Sequence, residues 1–299
     1  MPNTTASQAP SAATHAAKPD ASNVAVIARQ AIVDAQRAVF GYELFDRSSP
    51  SHIHTAASDA ALLFNALSSA GLKAIGGKKM VFINCTHESL AGGHLELIHP
   101  DKVVLEVPAL AADATADDIE YRVNTLLNLN KRGFRLALDQ ATLRPAYAPW
   151  LQLAAFIKLD MTTFAPEQAK DLVKFARAYS RAQIIAEKVE TPEQHALMAQ
   201  LEVKLFQGYW FSQPALVKTQ TLRPSHATII QLINLVRNQA ETTEIEALLK
   251  KDPTLSFNLL RFINSSGFGL SCEITSFRHA VMILGFKKLF RWAAMLLTT

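Results

Sequence analysis

From Val24 onward the chain alternates short apolar runs with longer stretches of helical period, and no other feature restricts its fold so tightly. VAVIARQAIV, KMVFIN, KVVLEV, FRLALD, AAFIKLD, AQIIAE and VKLFQGYWF are each of strand length and rich in β-branched or aromatic residues. Between them, TADDIEYRVNTLLNLNKRG places Asp117, Ile119, Val123, Leu126 and Leu127 at helical spacing and ends near Gly133. PEQAKDLVKFARAYS repeats the arrangement with Leu172, Val173, Phe175 and Ala176. Such alternation predicts a parallel sheet covered by helices, and continuously apolar strands imply burial on both faces. About seven or eight units over roughly 190 residues favour a TIM-type (β/α) barrel, with an open doubly wound sheet as the alternative.

Composition narrows the function classes. With 299 residues, 49% of them hydrophobic, the chain can bury one large core and part of a second. Thirty Lys and Arg against 26 Asp and Glu leave a net charge of +4, without a basic run interleaved with aromatics, so no nucleic acid duplex is expected as a partner. Cys85 and Cys272 are the only cysteines and lack a metal-like spacing, which fits a reducing compartment. Residues 1–23 are rich in Ala, Ser, Thr and Pro and read as a disordered tail, without the apolar middle of a signal peptide. No apolar run reaches membrane-spanning length, so no membrane insertion is expected and the cytoplasm is the expected location.

The strand ends carry the chemistry. GYELFDR contains Glu43, VFIN ends on Asn84, VVLE on Glu106, LALD on Asp139, IIAE on Glu187, IKLD holds Lys158 and Asp160, and LFQGY holds Gln207. Any one of these can simply mark where a strand meets water. A barrel, however, gathers the C-terminal ends of its strands at one mouth, where all of them would converge. These carboxylates and carboxamides, without His or Cys, form a hard-oxygen set suited to Mg²⁺ or Mn²⁺.

The same segments resemble those of EAL domains, the cyclic diguanylate phosphodiesterases. GYELFDR is similar to the family's signature, although Leu44 and Phe45 stand where its Ala and Leu would be, and VFIN, VVLEV, LALD, IKLD, AEKVET and QGYWFSQP follow in the family's order from Val24 to Pro214. The resemblance implies metal ligands at Glu43, Asn84, Glu106 and Asp139. It further implies catalytic roles for Lys158 and Glu187 and ligand contacts at Arg47 and Gln207.

Three departures alter what the resemblance implies. Where the family has a second Asp and a glycine-containing loop, this chain has Gln140 followed by ATLRPAY; Ala109 replaces a loop-steadying Glu, and Lys188 replaces a Gly. Gln supplies an oxygen but no charge, and in-line phosphodiester cleavage uses two cations about 4 Å apart. The expectation is a degenerate, non-hydrolytic EAL-like domain over residues 24–215, signalling through cyclic diguanylate binding or protein contact. An active Mg²⁺- or Mn²⁺-dependent phosphodiesterase is the alternative, and an unrelated barrel enzyme or a scaffold without nucleotide affinity are further ones.

Behind the barrel the strands stop. PSHATIIQLINLVRNQA, TTEIEALLKKDP, TLSFNLLRFINSSGFG and SFRHAVMILGFKKLFRWAAMLL read as helices, with Pro224 starting the first, a Thr243/Glu246 capping box for the second, and Asp252-Pro253 and Gly267 as punctuation. LLKKDPTLSFNLLRFINSSGFG and HAVMILGFKKLFRW resemble an HDOD domain, implying an all-α region over residues 222–299 that holds its N-terminal part. His226 and His279 have no adjacent Asp and are expected to be structural or exposed. The apolar stretch from Val281 to Leu297 needs covering, so a truncated chain, a protein partner or a homodimer is expected.

Overall fold

The computed structural model describes residues 24–47, 55, 56, 58–60, 62, 63, 79–98, 100–220, 224–264 and 273–297. The tail expected over residues 1–23, and the positions of Gly267 and Cys272, lie outside them.

Nine strands form one sheet: β1 (Val24–Asp34), β2 (Val39–Asp46), β3 (Met80–Asn84), β4 (Val103–Val107), β5 (Arg135–Asp139), β6 (Ala154–Asp160), β7 (Gln183–Glu187), β8 (Leu205–Phe206) and β9 (Ala215–Gln220). Their order is β2-β3-β4-β5-β6-β7-β8-β1-β9, and a further β1–β2 pairing closes strands β1 to β8 into a barrel. Strands β2 to β8 are parallel, as the alternation predicts. β1 departs from that expectation: it runs antiparallel to β2, β8 and β9. Only four residues separate β1 from β2 around Arg37, which has a φ of 63°, and so short a link can only form a hairpin.

Barrel geometry fixes the site through the two-residue period of a strand. Ile32, Phe82, Val104, Ala137, Phe156, Ile185 and Leu205 point inward and fill the barrel floor, with Phe82 and Phe156 edge-to-face at 5.1 Å between centroids. Two residues along each of these strands the next inward position is polar: Gln30, Asn84, Glu106, Asp139, Lys158, Glu187 and Gln207. Outward positions such as Leu44, Ile83, Leu105, Leu138, Ile157 and Ala186 meet the surrounding helices in a separate core.

The helices around the barrel are α1 (His87–Leu90), α2 (Ala116–Lys131), α3 (Ala148–Leu151), α4 (Ala169–Tyr179) and α5 (Pro192–Gln200). Thr115 and Asp118 cap the start of α2 reciprocally, and its buried stripe is Ile119, Leu126 and Leu129, with Leu127 only half-buried. The segment after β5 is firmly packed: Thr142, Tyr147, Trp150 and Leu151 are buried, and the Trp150 indole donates to the Ile119 carbonyl at 3.0 Å.

Beyond β9 the chain is helical, as expected: α6 (His226–Arg237), α7 (Thr242–Lys251), α8 (Pro253–Ile263) and α9 (Phe277–Leu296). Asp252 caps α8 by accepting from the Leu255 amide. The anticipated Thr243/Glu246 box does not form, because α7 already starts at Thr242 with Glu241 as its cap, two residues too early for Thr243 to be the cap. Nor is α9 a continuous rod: Gly285, at φ 68° and ψ 165°, breaks it. Leu284, Leu289, Trp292 and Ala293 are buried on the helical core, whereas Met282 is 68% exposed.

A 3-10 turn of the barrel, Gly93–Leu97, joins the two parts. Leu97 is buried in the helical core, Glu96 pairs with Arg291 and with Lys287 at 3.4 Å, and Arg291 also reaches the Gly93 carbonyl. Among the described residues no helix is long and apolar enough to cross a membrane.

Gly208 shows how closely the β8 crossing is packed. A Cβ there would lie 2.1 Å from the Val189 carbonyl oxygen, and Val189 is itself held by the Gln207 carbonyl and the Trp210 amide. Gly208→Ala is expected to cost about 1–3 kcal/mol, read as a lower urea midpoint at unchanged slope.

Candidate functional site

The polar layer opens into a cavity of about 550 Å³ at the C-terminal mouth of the parallel strands. Glu43, Asn84, Glu106, Asp139, Lys158, Glu187 and Gln207 all line it, so the structure brings these sequence-derived candidates together. Arg47 does not line the cavity. Its exposed guanidinium stands 5.9 Å from the Phe45 ring, and it is Phe45 that reaches the lining.

Lys158 is the hub. Its ammonium, 5% exposed, pairs with Glu43 at 3.1 Å, with Glu187 at 2.5 Å and with Glu106. Glu43 collects the other donors: its Oε1 accepts from Asn84 Nδ2 at 2.8 Å and its Oε2 from Gln207 Nε2 at 2.7 Å. Gln207 Nε2 also donates to Gln30 Oε1 at 3.1 Å, and Gln30 Nε2 donates to the Ser212 carbonyl at 3.3 Å.

Three carboxylates around one ammonium cannot all stay charged out of water without penalty. Burial works against the ammonium of Lys158, but Glu106, Glu43 and Glu187 outweigh it and hold the lysine well above its ordinary value. Burial first, and then the Glu43 charge, push Glu106 up to about 8; Glu187 is raised in the same direction, again chiefly by burial. The cluster therefore keeps its ammonium and shares an additional proton among the acids, held mainly by Glu106.

Asp139 lines the same cavity, but its carboxylate and the Gln140 amide are bonded outside the hub. Asp139 accepts from the Ala141 amide at 2.9 Å and from the Ala109 amide at 3.2 Å, which ties the β5 end to the segment after β4. Gln140 Oε1 accepts from the Asp160 amide at 2.9 Å and its Nε2 donates to Thr163 Oγ1. Its whole amide is thus engaged with the loop after β6. That loop also holds Asp160, whose carboxylate takes the Lys188 ammonium at 2.6 Å.

As donors, the lining residues suit one hard divalent cation: they are oxygen-rich, and Glu106 Oε1 and Gln207 Oε1 are buried without a hydrogen-bond partner. Yet the carboxylates close on Lys158, and among the described residues no three His, Cys, Asp or Glu side chains form a metal-holding group. Entry of a cation at Glu43 and Glu106 requires them to loosen their grip on Lys158.

Sequence reasoning missed Gln30. It lies in mid-strand because β1 runs in reverse, so a search of strand ends passes over it; its signal is the polar pair Arg29-Gln30 within the apolar VAVIARQAIV, and Gln30 is directly opposite Glu43 in register. His87 and Cys85 also line the cavity. Burial lowers the His87 imidazole and raises the Cys85 thiol, so both are neutral fillers of the wall at pH 7.

The comparisons with known proteins agree with this geometry. Residues 65–214 match the family model of the EAL domain and residues 222–298 that of the HDOD domain. The chain is 31% identical over 271 residues to a Vibrio cholerae protein named cyclic di-GMP phosphodiesterase CdgJ, covering 88% of this chain and 61% of the relative. It is 28% identical over 278 residues to the uncharacterized YuxH of Bacillus subtilis, covering 89% of this chain and 66% of that one. The chain thus spans less than two thirds of the length of these curated relatives. Among solved structures, Klebsiella pneumoniae BlrP1 in a manganese and cyclic di-GMP complex has a TM-score of 0.53 at 23% identity, covering 66% of this chain and 59% of that one. Bacillus subtilis YkuI, in complex with cyclic di-GMP and calcium, has a TM-score of 0.52 at 19% identity, covering 64% and 55%. At these identities the two structures establish the shared fold.

Two outcomes test the hub. Lys158→Met leaves buried carboxylates without their counter-charge and is expected to cost about 3–5 kcal/mol, part of which added Mg²⁺ restores in a thermal melt. The second concerns pH. Because folded Glu106 holds its proton up to about 8, above the ordinary 4.5, its contribution to stability is complete at low pH. It is lost as pH rises between those two values. Glu106→Gln has no such titration, so its stability relative to the parent protein should rise across that window, as urea midpoints at several pH values will show.

Proposed function

The chain belongs to the EAL family and carries an HDOD domain behind its barrel, and on that premise we propose that it is a cyclic diguanylate signalling protein that works by binding rather than turnover. The observation that carries this reading is the engagement of Gln140. Its oxygen accepts from the Asp160 amide and its nitrogen donates to Thr163, so the position after Asp139 brings no charge to a second cation and its amide is held against the end of β6 and the residues that follow it.

In-line phosphodiester cleavage needs charge stabilisation at both the attacking and the leaving oxygen. Glu43, Asn84, Glu106 and Asp139 would hold a single Mg²⁺ or Mn²⁺ ion, which supplies Lewis-acid polarisation of a phosphate oxygen. Lys158 is committed to three carboxylates and acts in this reading as a structural counter-charge. Gln207 and Glu187 shape the polar wall, with Arg47 and Phe45 at the rim as ligand contacts.

Output passes through the helical region to a protein partner or a second copy of the chain, in the cytoplasm. The cavity supports such a route: Thr86, His87 and Glu88 line it, and the turn that follows them, Gly93–Leu97, is docked on α9.

Titrating cyclic diguanylate into the protein with Mn²⁺, while following heat and product in the same sample, is expected to show binding without conversion. Product at enzyme-like turnover overturns the reading, and no heat at all removes the nucleotide from it. Gln140→Asp alone is expected to leave product at background, because the loop that follows Gln140 is packed through Tyr147 and Trp150.

A further inference from the structure

We propose that Lys188 is the ligand-facing cation of the cavity, exchanging its bond to Asp160 for one to a phosphate of the bound nucleotide; this rests on the cyclic diguanylate reading above. The proposal begins with charge. An anionic phosphodiester entering this cavity meets the carboxylates of Glu43, Glu106, Glu187 and Asp139. Lys158 is enclosed among three of them and has no room for an outside partner. Lys188 is the other lysine in the lining, and its side chain is 60% exposed.

Backbone conformation is the second observation. Lys188 has a φ of 51°, in the left-handed region where a side chain is disfavoured and glycine is not. Neighbouring contacts hold the chain in this conformation without help from the lysine: the Val189 amide donates to the Gln207 carbonyl at 3.0 Å and the Val189 carbonyl accepts from Trp210 at 3.1 Å. The strain thus accompanies an ammonium placed at the cavity rim, and strained non-glycine backbone collects at ligand sites.

The third observation is how little Asp160 depends on Lys188. Its Oδ1 accepts from the Thr162 amide at 2.9 Å and from Thr162 Oγ1 at 2.6 Å, and its own amide is fixed by Gln140. When Lys188 swings away, only Oδ2 loses its partner, on a carboxylate that solvent reaches. A pair of this kind, with its lysine exposed, is weak and exchangeable, and a phosphate oxygen can take over the same charge-assisted bond from Asp160.

Cyclic diguanylate titrations of the parent protein, Lys188→Gly and Lys188→Arg, each in EDTA and in Mn²⁺ and at two salt concentrations, test this. Lys188→Gly is expected to weaken binding roughly 10-fold or more under both conditions and to flatten the salt dependence, with Lys188→Arg restoring most of both. Glycine relieves the backbone, so the thermal midpoint of Lys188→Gly should rise by about 2 °C, which separates lost binding from lost folding. Unchanged affinity and salt dependence in Lys188→Gly, beside a parent protein that binds, overturns this assignment alone, as does failure of arginine to restore binding. A parent protein that gives no heat under any condition brings down the nucleotide reading and this proposal with it.

Discussion

A buried ammonium among three carboxylates governs this barrel. The strand period makes every second residue face inward, so the layer above the apolar floor of Phe82, Val104 and Phe156 is necessarily enclosed by the same walls. In this chain that layer is acidic, and Lys158 neutralises it. Replacing such a cluster with apolar side chains is often neutral or stabilising, whereas removing one member is not. The arrangement is therefore better understood as an acidic layer with its own internal counter-ion than as a device for stability.

Much of this was legible in the sequence, and the limits have physical causes. Parallel strands announce their mouth residues by ending on or beside them, which makes Glu106, Asp139 and Glu187 stand out. β1 hides Gln30 because an antiparallel strand crosses the mouth midway. The identity of Gln140 was plain, but what its amide does was not: its partners, Asp160 and Thr163, lie 20 and 23 residues away and only the fold brings them close. Side-chain direction in the rim is equally a tertiary matter, as Arg47 shows by standing over Phe45 outside the lining.

The helical region repeats the lesson at shorter range. Asp252 before Pro253 is a local signal and caps its helix as expected. The Thr243/Glu246 pair is also local, yet α7 begins two residues too early and leaves the pair inside the helix. Gly285 lies inside the apolar stretch Val281–Leu297, and its backbone breaks the helix there. A hydrophobic stretch counts what must be covered but not how the chain turns while covering it.

Leu97 belongs by sequence to the barrel and by burial to the helices. The boundary drawn along the chain between β9 and α6 is consequently not the boundary along which the molecule comes apart. Excising the barrel there would strip Leu97 of its cover and Glu96 of Arg291 and Lys287, exposing a sticky turn beside the cavity. Leu97, Glu96 and Arg291 join the two regions here, so a substitution on one side of this joint acts on the packing of the other.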